Sequence, residues 1–245
     1  MSQPGGSMPK VLLFDIECTP NLGYVWGKWE QNVLAYKEQW QILCFAYKWL
    51  GEKKIYCITA KDDKGDKKVC EVLYDLFNQA DVLVAHNGDS FDIKKVRARF
   101  VFHGFKATKH IPSVDTKKVA KSNFNFNSNK LDDLGEYLGV GRKQKHSGFD
   151  LWLQCMAGNA KAWKEMIKYN IQDVRLLEKI YRKLKPWCKT HPNIAALQDR
   201  VGCPKCGSTN VRREGVRGNA TTLSQQMQCR SCWGWYLTRY KRGLP

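Results

Sequence analysis

The chain holds 245 residues, with 41 Lys and Arg against 23 Asp and Glu, for a formal charge of +18 at neutral pH. A hydrophobic content of 43% supports a globular core, and no apolar run approaches the roughly 18 residues of a membrane span, which excludes spanning helices. So large a positive excess sets the chain apart from an ordinary enzyme and marks a polyanionic partner such as nucleic acid.

Residues 1–9 open on MSQPGGSM, a polar stretch without the hydrophobic segment of a signal peptide, so a flexible arm on a cytoplasmic protein is expected. The run VLLFDIE (11–17) is apolar until its end and reads as a buried strand. Alternation places Asp15 and Glu17 on the face of Val11 and Leu13, where a bare carboxylate is costly. An aromatic loop follows, with Tyr24, Trp26 and Trp29. ILCFAYKWL and KIYCITA, separated by Gly51, Glu52 and Lys53, predict a hairpin. KKVCEVLYDLFNQA predicts an amphipathic helix, DVLVAH a second central strand, and FDIKKVRARFVFHGF another helix, with Asp92 near its start. A short strand around HIPSVDT and a helix over LDDLGEYLGV come next.

A long helix is expected from about 161 to 184, stopping before Pro186. Met166, Leu177, Ile180 and Leu184 form its apolar stripe, and Asp173 lies in the middle of that stripe with Tyr169 one turn away. Several buried carboxylates repel one another, by roughly 4 kcal/mol for a pair ~4 Å apart at an effective dielectric near 20. Divalent cations reverse that sign.

Residues 191–200 read as a linker, and 201–245 as a small separate unit with a basic tail. There, Cys203 and Cys206 form one C-x-x-C knuckle and Cys229 and Cys232 a second, with 22 residues between them. That spacing predicts a Cys₄ zinc ribbon holding one structural Zn²⁺. Eight Lys and Arg stand in the unit against Glu214 alone, interleaved with Trp233, Trp235, Tyr236 and Tyr240. Rings beside a basic track suit a single strand of nucleic acid, so Arg212, Arg213, Arg217, Trp235 and Arg239 are candidate contacts. Two further stretches are candidates: Lys121 to Asn127, with Phe124 and Phe126 for base stacking, and the basic cluster Arg142, Lys143 and Lys145 for phosphates. His86 reads as a strand-end histidine, Asn87 as a brace for the loop presenting Asp92, and Asp115 as a turn or supporting acid. Cys18, Cys44, Cys57, Cys70, Cys155 and Cys188 read as reduced core thiols without a chemical role.

D-x-E on a first strand (Asp15, Glu17), N-x-x-x-F-D after a later strand (Asn87 to Asp92) and Y-x-x-x-D on a late helix (Tyr169, Asp173) resemble the three motifs of DEDD-type 3′–5′ exonucleases. The tyrosine resembles the branch found in family B polymerase proofreading domains and RNase D. The sister branch has histidine five residues before the last aspartate, where this chain has Lys168. NKLDDLGEYLGVGRK is similar to the corresponding segment of stand-alone, often phage, members, and the resemblance spans about 10–187. It implies an α/β fold, with an RNase H-like mixed five-stranded sheet flanked by helices over 10–190 and the ribbon appended. It implies two Mg²⁺ or Mn²⁺ ions held by Asp15, Glu17, Asp92 and Asp173, with Tyr169 aiming a water. The implied reaction releases nucleoside 5′-monophosphates from a 3′ end of single-stranded DNA, in a bacterial or phage-infected cell. RNA as substrate and a non-catalytic nucleic-acid-binding role remain alternatives. A replication or repair protein is a further candidate partner.

Overall fold

Because β1 (Val11–Cys18) is apolar on both sides until its end, it can lie at the centre of a sheet covered on both faces. In the computed structural model, which describes residues 9–29 and 32–240, it does so. β1 pairs antiparallel with β4 (Ile42–Trp49) and parallel with β6 (Val82–Ala85), and the sheet order is β5-β4-β1-β6-β7. β5 (Tyr56–Thr59) closes the expected hairpin with β4, and β7 (Ser113–Asp115) is the parallel edge. This is a mixed five-stranded sheet, as the resemblance implies.

Alternation along β1 splits the interior into two layers. Leu12, Phe14 and Ile16 pack under α1 (Lys67–Gln79) and α2 (Asp92–Phe102), where Phe14 meets Phe77 edge-on at 5.4 Å. Removing a ring from such a site costs about 3–5 kcal/mol. Val11 and Leu13 pack on the other side, against α3 (Thr116–Asn123), α4 (Leu131–Tyr137) and α6 (Ala160–Leu184). A third apolar cluster joins α5 (Asp150–Met156) to α6 through Leu151, Cys155, Trp163 and Met166.

Several elements depart from the sequence expectation. The aromatic loop after β1 contains a small hairpin, β2 (Leu22–Tyr24) with β3 (Ala35–Glu38), whose Trp26 and Trp29 are exposed. The segment expected as a loop from Lys121 begins inside α3. That helix is started by the Asp115 carboxylate, which accepts from the Lys117 and Lys118 N–H groups at 2.9 and 3.3 Å. α3 and α5 are short and carry too little stripe to show as helices in the sequence.

The stretch 191–200 is packed against both neighbours. His191 is buried with its Nε2 2.8 Å from the Tyr181 hydroxyl, and the Ile194 N–H donates to the Pro204 carbonyl at 2.7 Å. Beyond it stands a three-stranded antiparallel sheet of β8 (Val211–Gly218), β9 (Leu223–Cys229) and β10 (Trp235–Arg239). Residues 1–8 of the expected flexible arm and the tail cations Lys241 and Arg242 lie outside the described residues. Among the described residues, no helix is long and apolar enough to cross a membrane.

Candidate active site

The four acids arrive from three elements. Asp15 and Glu17 project from the end of β1, Asp173 from the middle of α6, and one carboxylate oxygen of each falls within 4.8 Å of the others. Asp92 opens α2, and its Oδ1 accepts the Ile16 N–H at 3.1 Å, which ties that helix start to β1. The turn before it is built by Asn87 at φ +66, whose carbonyl accepts the Ser90 and Phe91 N–H groups. Asp115 holds the turn from below by accepting the Asn87 and Asp89 N–H groups at 2.9 and 3.3 Å. Asp115 is thus a helix cap and loop brace, and His86 spans Thr116 and the Asn129 carbonyl.

Burial and mutual repulsion dominate the electrostatics. Asp15 is raised well above the usual carboxylate range by burial, then by Asp92, Asp173 and Glu17. Burial followed by Asp173 pushes Glu17 to about 8, and burial raises Asp92 to about 6. Burial also raises Asp173, against the pull of Lys143. The Lys143 ammonium donates to Asp173 Oδ2 at 2.5 Å and to the Tyr169 hydroxyl at 3.0 Å. Although burial opposes it, the charges of Asp173, Tyr169 and Asp15 raise the Lys143 pKa. Lys143, expected only to touch phosphate, therefore sits among the acids as their counter-charge. Tyr169 is pushed upward by burial and by Asp173, so its phenol stays protonated.

Asn170 is fully buried and was not singled out by the sequence. Its amide nitrogen donates to Asp15 Oδ2 at 2.8 Å and to the Asp15 carbonyl at 3.2 Å. Its oxygen accepts from the Cys44 and Cys57 thiols at 3.8 and 3.9 Å, long contacts that still favour this orientation of the amide. The only available signal was a polar residue on the buried side of the α6 pattern.

Among the described residues, Asp173 Oδ1 is one of the buried side-chain oxygens without a hydrogen-bond partner. An orphaned carboxylate oxygen inside a cluster of acids fits a hard divalent cation, whose preferred ligands are oxygens. The cysteine cluster fits a different metal. Cys203 and Cys232 sulfurs lie 3.7 Å apart, Cys206 and Cys229 sulfurs 3.6 Å, and all four fall within 4.8 Å. Tetrahedral Zn–S bonds of about 2.3 Å give sulfur separations of about 3.8 Å. A third grouping, Asp66, Cys70 and His103, is structural. The Asp66 carboxylate is already taken by the Arg99 fork at 2.6 and 2.7 Å, the Ile42 N–H and His103.

Beside Glu17 opens a cleft of about 560 Å³. One wall is Trp40, Lys95 and Phe91, with the Lys95 ammonium 3.5 Å over the Trp40 ring. The other is His146, Phe149 and Trp152, with His146 meeting the Tyr169 ring at 4.8 Å. Trp152 stands near enough to Glu17 to pull its pKa down slightly, against the larger raising effect of burial.

The other candidates disperse. Arg142 is engaged by Asp132 and Glu136, and Lys145 is exposed nearby. Phe124 and Phe126 stack on each other at 5.0 Å, meet Trp187 and Tyr137, and pack on the core beside α6, away from the cleft. Arg212, Arg213, Arg217, Trp235 and Arg239 all lie on the ribbon sheet.

Comparison with known proteins agrees with this architecture. No curated protein sequence matches the chain. Its fold is similar to that of the family B DNA polymerase from the hyperthermophilic archaeon Pyrobaculum calidifontis, at a TM-score of 0.58 and 16% identity. The match covers 88% of this chain and 32% of the polymerase, so the chain spans about a third of that protein's length. A model of the RNase_H superfamily matches residues 30–185, beginning after the strand that bears Asp15 and Glu17. With well over half of its length matched and the mixed five-stranded sheet in place, the chain belongs to the RNase_H superfamily.

Proposed function

We propose that the chain is a divalent-metal-dependent 3′–5′ exonuclease that releases nucleoside 5′-monophosphates from single-stranded DNA, with a zinc-closed ribbon that grips the strand. Superfamily membership supports a nuclease. The observation that carries the reading is the convergence of Asp15, Glu17 and Asp173 within 4.8 Å beside Asp92, with Asp173 Oδ1 left unpartnered. Such an arrangement is unfavourable for folding and makes sense as a cation site.

Two Mg²⁺ or Mn²⁺ ions, when bound, supply a water of lowered pKa and neutralise charge at the scissile phosphate. Asp15, Glu17, Asp92 and Asp173 are the residues that would hold them. Asn170 fixes the Asp15 carboxylate, and the Tyr169 hydroxyl acts by hydrogen bonding, since a phenol with a raised pKa is a poor proton acceptor at neutral pH. Lys143 places a positive charge where phosphate charge must be balanced. The rings of Trp40, Phe91 and Trp152 offer stacking surface to unpaired bases beside Glu17. Four thiolates and one Zn²⁺ close the ribbon, which contributes Arg212, Arg213, Arg217, Trp235 and Arg239 to strand binding.

The test uses 5′-labelled single-stranded DNA and RNA of matched sequence with Mg²⁺ or Mn²⁺, and compares wild type with Asp15→Ala. A ladder shortening from the 3′ end of DNA, absent in the variant, is the expected result. Faster shortening of RNA would move the substrate to RNA. Cutting of circular single strands, or equal activity in the variant, would overturn the exonuclease reading.

A further inference from the structure

Residues paired across antiparallel strands project to the same side of a sheet. In the ribbon, Trp235 faces Gln228, Leu237 faces Gln226 and Arg239 faces Ser224. On the other flank of β9, Arg212 faces Gln228 and Arg217 faces Ser224. One side of the ribbon thus gathers Trp235, Leu237, Arg239, Arg217 and Arg212 around two glutamine amides. Arg213, opposite Met227, falls on the reverse side. Glu214 is held by Arg212 at 3.0 Å, and among the described residues no carboxylate pairs with Arg217 or Arg239.

This side forms one wall of a cavity of about 500 Å³. The opposite wall is the end of the nuclease body, Cys188, Lys189 and His191. The cavity shares no lining residue with the cleft beside Glu17. No acid lines it. Lys205 does, but its ammonium donates to the Pro186 carbonyl, which leaves Lys189 and Arg217 as the cations available to a ligand among the described lining residues. Trp235 and Leu237 stay 47% and 49% exposed, so large apolar surface faces water beside unpaired positive charge.

We propose that this junction cavity is a second nucleotide-binding site, which seats one nucleotide of a single-stranded polynucleotide at a distance from the acids. The base lies against Trp235 and Leu237, its edge meets the Gln226 amide, and its phosphates meet Arg217 and Lys189. A purely apolar segment would leave both cations unpaired, and an acidic peptide would leave the indole without a flat partner. A nucleotide satisfies both. The inference rests on the nucleic-acid reading above for its ligand class, and not on catalysis.

The test uses the full-length, zinc-loaded Asp15→Ala protein, so that strands stay intact, with oligothymidylate and oligouridylate of equal length. Trp235→Ala is expected to weaken binding about tenfold, while Trp235→Phe, which keeps a ring, restores most of it. Arg217→Ala is expected to lower the slope of log K against log salt by about one. A strand bearing 5-iodouracil is expected to crosslink within β9 or β10. Unchanged affinity in both alanine variants would overturn the proposal, as would crosslinks confined to the cleft beside Glu17. Competition by polyglutamate as effective as that by the oligonucleotide would overturn it too, in favour of an acidic peptide. Failure of the exonuclease reading shows separately, as wild type that does not shorten a strand, and leaves these binding readouts intact.

Discussion

Replacing Glu17 with Gln tests whether the acid cluster is built at the expense of the metal-free fold. Burial and Asp173 hold the Glu17 carboxyl at about 8, against 4.5 for an ordinary glutamate. Between those two values the folded chain keeps a proton that the unfolded chain has released, so stability falls as pH rises, by about 1.4 kcal/mol per unit. At pH 7 the accumulated cost is about 3 kcal/mol, obtained from the shift by linkage. Glu17→Gln removes the titration while keeping the shape of the side chain. With Mg²⁺ and Mn²⁺ dialysed away and zinc retained, the variant is expected to melt higher than wild type at pH 7, by roughly 6–12 °C for a chain of this size. The gap should close as pH falls below 4.5, where both states carry a neutral carboxyl. It should also close at saturating Mg²⁺, which stabilises wild type by binding the folded state alone. Thermal unfolding followed by circular dichroism reads all three conditions. A variant no more stable than wild type without metal, or a gap that does not depend on pH, would refute the reasoning.

Three further outcomes are expected. Asn170→Ala removes the 2.8 Å donor to Asp15 and should raise the Mg²⁺ concentration for half-maximal hydrolysis by about 10–100-fold, read from metal titrations of the rate. Lys143→Ala withdraws the only ammonium bonded to Asp173 and Tyr169 among the described residues and should lower kcat by about 10²-fold in steady-state assays; an unchanged kcat would return Lys143 to the role of a surface cation. Asp66→Asn breaks the buried pair with Arg99 and should cost about 3–5 kcal/mol in urea unfolding at pH 7. Against the opposing effect of burial, Arg99, the Ile42 N–H and His103 hold the Asp66 carboxyl below its ordinary 3.8. Its contribution is therefore complete above about pH 4 and lost as pH falls through the depressed value, so variant and wild type should converge only in strong acid.

Local pattern carried much of this molecule. Apolar runs marked β1 and β6, the 3.6-residue stripe marked α6, and the polar interruption of that stripe drew attention to Asp173 before any neighbour was known. The two C-x-x-C knuckles announced a four-thiol cluster because ligands so close in sequence leave few other geometries. Short helices escaped: α3 depends on a cap from Asp115, and α5 on packing against Trp163 and Met166, neither of which periodicity records.

What the sequence by itself determined was which residues are buried, on which face of which element, and which acids are out of place there. Only the tertiary structure decided what each of them meets. It brought Lys143 from a basic loop onto Asp173, and Asn170 against Asp15 across 155 residues of chain. It turned Phe124 and Phe126 towards the core instead of the cleft, and it placed Arg217 and Arg213 on opposite sides of the ribbon through a bulge between Arg213 and Val216. The physical reason is the range of the interactions. Periodicity reports one element's preference for water or core, whereas hydrogen-bond and ion-pair partners are set by strand register and helix packing between distant segments, and a shift of one residue in register sends a side chain to the other face.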